Sequence, residues 1–354
     1  MADSRVDRIV HLDGWRALAI GCVLVAHFGR GFGGWLGDYG VELFFGLSGL
    51  LMAEILFVRQ TELGPFLVRR LTRVFPALFV FATAMGLASF AGTLVGVLPK
   101  AMQLTLSQYL SSMFFVTNYY YAATGNHSVL GHTWSLGVEL CSYALLAAIA
   151  WLIGRQTRVV VPVLLAICVA SWAFGAWLMT QPNFGWESVY WRTDARLPSI
   201  ILAAAAFLVL RGRKVPPFTA PLLLIVSALI FAYGGVVFRH IVGTIAMALA
   251  IATLEASYLG LRRVLASPVL TFVGAISYSL YLWQQPFWKA AEKGPPWLSA
   301  VALVPAFVAA YISYRLIEGP SRDWLNQRLL KRKTAHSDVR EADMASRTPP
   351  AAQQ

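Results

Sequence analysis

The stretch HLDGWRALAIGCVLVAH, residues 11–27, opens as a polar turn, continues as an apolar helix, and carries Arg16 near one end and His27 at the other. Eleven residues of α-helix return to within about 20° of the same face and cover roughly 16 Å along the axis. One face of this segment thus offers a cation at one depth and an imidazole at another. An ionisable group in hydrocarbon costs about 2.5–3.5 kcal/mol on insertion scales, so a spanning segment that keeps two of them points to a functional role. The structural alternatives are an interfacial or hydrogen-bonded core histidine and an arginine that snorkels to the surface.

The rest of the chain makes this one apolar segment of many. Of 354 residues, 58% are hydrophobic and only 13% charged, against about 25% charged in a soluble protein. With a mean hydropathy of +0.62, the sequence reads as an all-α polytopic integral membrane protein. A spanning helix needs about 20 apolar residues. That length gives ten transmembrane helices near residues 10–29, 40–58, 73–96, 133–153, 159–179, 197–210, 217–237, 240–258, 269–288 and 298–318, in a range of nine to eleven. With both termini cytoplasmic, one set of loops collects Arg59, Arg69, Arg70, Arg73, Arg155, Arg158, Arg211, Arg213, Lys214, Arg262 and Arg263, and the other set is poor in cations. The net charge of +12 is therefore mostly topology and indicates no nucleic acid partner, which would need a contiguous basic stripe.

Residues 1–333 read as a single transmembrane domain in the lipid bilayer, and 334–354 as a polar, aperiodic, disordered cytoplasmic tail. The charged leader before the first apolar run lacks a cleavage pattern, so the first helix is expected to stay in the mature protein. Cys22, Cys141 and Cys168 are odd in number and form no CxxC, which argues against a disulfide framework, and no metal site is indicated. Residues 97–132 are long and aromatic, suited to lying along the interface or folding over a site.

The remaining information lies in polar residues within apolar runs. In GPFLVRRLTRVFPALFV, Arg70 and Arg73 are i,i+3 and Arg69 and Arg73 i,i+4, so three guanidinium groups can face one region. Guanidinium forks match phosphate oxygens, while the alternative is a positive-inside anchor on lipid phosphates. GHTWSLGVELCSYALL sets Glu139 inside the fourth span with Ser135 at i−4, and YGVELFFGLSGLLM sets Glu42 near the outer end of the second. Acids at such depth face a cavity or pair with a base. Asp194 and Arg196, in YWRTDARLPSIILAAAAF, form a candidate pair.

In register, these segments resemble acyltransferase family 3, integral membrane enzymes that acylate sugars and related hydroxyl groups. Leu12-Asp13-Gly14-Trp15-Arg16-Ala17 with His27 matches the opening motif, Gly40 to Gly49 the G-V-[DE]-L-F-F-x-L-S-G segment, Arg70, Arg73 and Pro76 the R-x-x-R-x-x-P motif, and Trp134 to Glu139 W-S-L-x-V-E; ISYSLYLWQQP and YISYRLIEGP resemble the closing helices. Two positions depart from the pattern: Gln284 stands where the family commonly has histidine, and Gly319 where arginine often precedes the last proline motif.

The resemblance implies an acyl-coenzyme A co-substrate, acetyl by default, bound from the cytoplasm among Arg16, Arg69, Arg70 and Arg73. It also implies a carbohydrate or glycoside acceptor and a place in a bacterial inner membrane. The roughly 16 Å from Arg16 to His27 is comparable to the reach of a pantetheine arm. His27 is then the expected general base, with Glu139 or, more weakly, Glu42 orienting either it or the acceptor; an acyl-histidine relay is the competing version. Trp134, Ser135, Asp194, Arg196 and Gln284 are the expected substrate-facing residues. The rival class is a transporter or flippase of a lipid-linked saccharide, which also uses buried charges.

Overall fold

A computed structural model describes residues 10–98, 103–182 and 184–329; the expected tail at 334–354 lies outside them. The chain forms α1 (Val10–Phe28), α2 (Trp35–Ala53, prolonged by a wide turn to Val58), α3 (Leu63–Leu94), α4 (Leu106–Met113), α5 (Thr117–Thr124), α6 (Trp134–Leu152, entered through a tight turn from Gly131), α7 (Thr157–Met179), α8 (Trp186–Tyr190), α9 (Thr193–Arg196) and α10 (Pro198–Leu210). There follow α11 (Thr219–Tyr233), α12 (Val236–Phe238), α13 (Thr244–Ala252), α14 (Leu259–Leu265), α15 (Pro268–Ala291) and α16 (Pro296–Ser313). No β-strand occurs among the described residues.

Each of the ten apolar runs is helical, but length and composition alone qualify six stretches as spans, or seven if α14 and α15, bent by 58°, count as one. The shortfall against ten has particular sources. α11 and the stretch Val236–Ala252 are shorter apolar helices, and α1 carries Asp13 and Arg16 within its 19 residues.

α1 lies between α2 and α15, and α10 packs against α2, α7 and α13. Lipid tails are as apolar as leucine, so close helix packing depends on small residues that let backbones approach. Glycines supply them here: a methyl on Gly274 would stand 1.8 Å from the carbonyl oxygen of Asp13, and one on Gly49 would stand 2.1 Å from that of Ile200. α1 and α15 run side by side in the same direction, so Asp13 meets Gly274, His27 meets Gln284, and Arg30 reaches the Ala291 carbonyl. Outward faces carry exposed apolar side chains such as Leu87, Val169 and Val304, as a lipid-facing surface requires.

The segment after α3 folds back over the bundle. Thr105 and Gln108 form a reciprocal capping box that starts α4. α5 is then tied down by Asn118, which donates to Thr193 Oγ1 at 2.7 Å.

Candidate active site

Two adjoining cavities occupy the end of the bundle where α1, α3 and α15 begin. The outer one, about 870 Å³, is lined by Arg16, Arg69, Arg70, Arg73 and Arg322, with Asp13 and Glu318 as its acids. The four arginines singled out in the sequence thus converge, and the helix following α16 adds a fifth. Asp13 bonds Arg16 at 2.8 Å, and Glu318 accepts a hydrogen bond from Ser279 at 2.7 Å. Arg69, Arg70 and Arg73 have no ion-pair partner among the described residues, and Arg70 Nε is buried without a hydrogen-bond partner. Arg69 is exposed at this opening, and Arg70 and Arg73 are half-buried in its wall. Guanidinium forks so placed have the geometry to take an anion with several oxygens.

The inner cavity, about 810 Å³, shares Arg16, Arg70 and Arg73 with the outer one and continues between α2, α6 and α15. Its walls are mainly apolar, among them Val41, Phe44, Leu51, Met52 and Leu136. Glu139 lies in its wall and accepts hydrogen bonds from Ser48, at 2.8 Å, and from Tyr143, both on Oε1. Ser135 and Tyr281 also line it, their hydroxyls 2.8 Å apart, and Tyr281 donates to the His132 carbonyl at 2.7 Å. Tyr278 ties α15 to α3 by donating to the Val74 carbonyl at 2.7 Å.

His27 lines neither of these cavities. It sits beside Gln284, one helical turn beyond Tyr281 on α15. Its Nδ1 is 2.8 Å from Gln284 Oε1, and its ring stacks on Trp288 at 4.1 Å and 9°. The Lys289 ammonium lies 4.0 Å above the Trp288 ring. Arg30 donates to the carbonyls of Ala291 and Pro295, a cation at the C-terminus of α15 as the helix dipole favours.

Several expected pairings change partners. Glu139 does not orient His27; it is held by Ser48 and Tyr143, and Gln284 takes that place. Gln284, fully buried at 0% exposure, faces the imidazole and not an open acceptor site. Asp194 and Arg196 do not pair with each other. Within the turn Thr193–Arg196 the two side chains diverge. Asp194 takes Arg192, which stands in extended backbone just before the turn, at 3.0 and 2.6 Å, and the buried Arg196 takes Glu42 at 2.9 Å. Glu42 also accepts from Ser199 and Thr244, so it is fully engaged in a structural cluster. Trp134 packs against Phe45, Tyr190 and Trp191 and lines neither cavity described above, while Ser135 does line the inner one.

His132 was not singled out by sequence. It is buried between Phe81 and Tyr281, with both ring nitrogens unpartnered, and lies within electrostatic reach of His27. The signal was present: an imidazole in an apolar run, like His27 itself.

A family model described as an acyltransferase domain matches residues 9–315. The chain is 27% identical to the peptidoglycan O-acetyltransferase OatA of Listeria monocytogenes, over 88% of this chain and 55% of that protein. It is 26% identical to the putative peptidoglycan O-acetyltransferase YrhL of Bacillus subtilis (88% and 54%), and 25% identical to a putative O-acetyltransferase of Staphylococcus aureus strain COL (88% and 57%). The chain spans a little over half the length of these curated relatives. No solved structure matches it. With a match running from the start of α1 to the end of α16, over the arginines, His27 and Glu139 alike, the chain belongs to the integral membrane acyltransferase family 3.

Proposed function

We propose that this protein moves an acyl group, acetyl by default, from acyl-coenzyme A to a hydroxyl of a carbohydrate acceptor within the bacterial cytoplasmic membrane, the arginine end facing the cytoplasm. The observation that carries this reading is the sharing of Arg16, Arg70 and Arg73 between a cation-lined mouth and an apolar slot. A donor with phosphates at one end and a long, uncharged arm at the other matches that gradient. The phosphates rest against Arg69, Arg70, Arg73 and Arg16, and the arm extends between α2, α6 and α15. The acceptor class is supported by the relatives, among them a peptidoglycan O-acetyltransferase and a putative one.

The chemistry assigned to His27, which stands outside the slot wall, one helical turn beyond its Tyr281, is general base catalysis. The acceptor hydroxyl gives its proton to the imidazole as its oxygen bonds the thioester carbonyl carbon. The carbon–sulfur bond then breaks, and the thiolate recovers the proton from the imidazolium. Proton transfer of this kind contributes about 10²–10⁴-fold to a rate.

The test uses full-length protein in lipid nanodiscs with acetyl-labelled acetyl-coenzyme A and soluble peptidoglycan fragments. Label should move to the glycan, and His27→Ala should lower turnover by about 10²–10⁴-fold at equal abundance. Transfer at the wild-type rate in His27→Ala removes the base assignment. Glycan translocation without donor turnover favours the transporter class.

A further inference from the structure

We infer that Gln284 is a positioning residue that holds His27 in the tautomer carrying its proton on Nδ1, so that Nε2 presents the lone pair. The inference rests on the reading of His27 as the base and adds which nitrogen acts and what selects it.

The two contacts of the imidazole divide the task. The Trp288 stack, at 4.1 Å and 9°, fixes the plane of the ring but is nearly indifferent to a half-turn within that plane. The contact of Nδ1 with Gln284 Oε1, at 2.8 Å, fixes which edge faces α15. The orientation of an amide is read from its neighbours. The Gln284 nitrogen faces the Tyr281 carbonyl at 3.4 Å, which can only accept, and Gln285 Oε1 at 3.2 Å, whose own amide can turn to match. Turning the Gln284 amide over would set its oxygen against the Tyr281 carbonyl and lose that donation. The oxygen therefore points at His27, and a carboxamide oxygen only accepts. Nδ1 must donate to it, and in a neutral imidazole Nε2 is then bare.

Burial gives this preference its weight. Gln284 is 0% exposed, so water does not replace a lost partner. An unsatisfied buried group costs about 1–3 kcal/mol. Nε2, by contrast, makes no hydrogen bond among the described residues and is not one of the buried unpartnered ring nitrogens, as both nitrogens of His132 are. During transfer the hydroxyl proton arrives at Nε2 and leaves from it to the thiolate. The Nδ1–H bond to Gln284 persists throughout and orients the imidazolium as it forms. The charged or titratable groups around His27 are Lys289 on α15, Glu292 just past its end, and His132 before α6.

Three measurements on full-length protein test this. Nitrogen-15 solid-state NMR of histidine-labelled protein, with His27→Ala as the subtraction reference, should show His27 protonated at Nδ1. A proton on Nε2 overturns the inference even if His27 proves essential. Gln284→Leu should lower kcat about 10–100-fold with an unchanged KM for acetyl-coenzyme A. Gln284→Glu, which keeps an acceptor and adds a charge, should retain turnover and move the acidic limb of the pH–rate profile upward by about 1–3 pH units. Wild-type kcat in Gln284→Leu and an unmoved profile in Gln284→Glu would overturn the positioning role. Full turnover in His27→Ala would instead defeat the underlying assignment of the base.

Discussion

Glu42 and Arg73 are both charged side chains on apolar helices, and the molecule treats them in opposite ways. Glu42, 1% exposed, is surrounded by donors: Arg196 at 2.9 Å, Ser199 at 2.9 Å and Thr244 at 2.8 Å. Arg196, 3% exposed, lies over Tyr190 at 4.7 Å and also meets His240. Each charge in that cluster has an ion partner within the protein, although Arg196 Nε itself makes no hydrogen bond. Arg73, with Arg69 and Arg70, has no ion-pair partner among the described residues and borders both cavities through its shared wall with Arg70. A satisfied charge in a membrane protein holds helices together; one without an ion partner beside a cavity is open to a ligand, which is what the proposed donor site uses.

That contrast can be broken at either end. The largest expected effect is structural: Glu42→Ala or Arg196→Ala strands a buried charge, which costs about 3–5 kcal/mol. It should appear as a large fall in abundance and in Tm in detergent. The double variant Glu42→Leu with Arg196→Met should recover most of that loss, because replacing a buried pair by apolar groups is often neutral. If the double variant is no better than the singles, the cluster does more than hold helices.

Next in size is the ligand side. Arg70→Ala or Arg73→Ala removes charge-assisted hydrogen bonds worth about 1.5–3 kcal/mol, so coenzyme A affinity should fall by about tenfold to a hundredfold. Tm should hardly move, since neither side chain has an ion-pair partner to strand. Unchanged coenzyme A binding in both variants would return these arginines to a purely topological role. Gly274→Ala sharpens the comparison from the side of helix packing. Its methyl would meet the Asp13 carbonyl at 1.8 Å, and overpacking of this kind costs about 1–3 kcal/mol. Because Asp13 bonds Arg16 and both border the arginine mouth, this variant should lose both Tm and coenzyme A affinity. The smallest effect belongs to Arg192→Ala. Its pair with Asp194 is partly exposed, and such pairs contribute about 0–1 kcal/mol, so thermal unfolding and turnover should stay near wild type.

Residue spacing made the arginine mouth legible because its members come from short local patterns. Arg69, Arg70 and Arg73 share one stretch of α3, and Arg16 lies one turn past Asp13, so helical geometry alone aims them. The partners of Arg196 and Gln284, and the Ser48 partner of Glu139, were not legible. Glu139 meets Ser48 across 91 positions, Glu42 meets Arg196 across 154, and His27 meets Gln284 across 257. No local rule reaches that far. His132 was visible as an imidazole in an apolar run, but its place between Phe81 and Tyr281 was not.

By itself, the sequence determined that the chain builds apolar helices, which of them begin with cations, and which motifs stand in family order. Hydropathy, helical period and the energetic penalty of charge in lipid act locally, and each can be read from a window of residues. Only the tertiary structure decided which buried charges are spent on one another and which remain open. Those partnerships depend on how each helix is rotated and how near it comes to its neighbours, and here that is set by glycine contacts such as Gly274 against Asp13, between positions far apart in the chain.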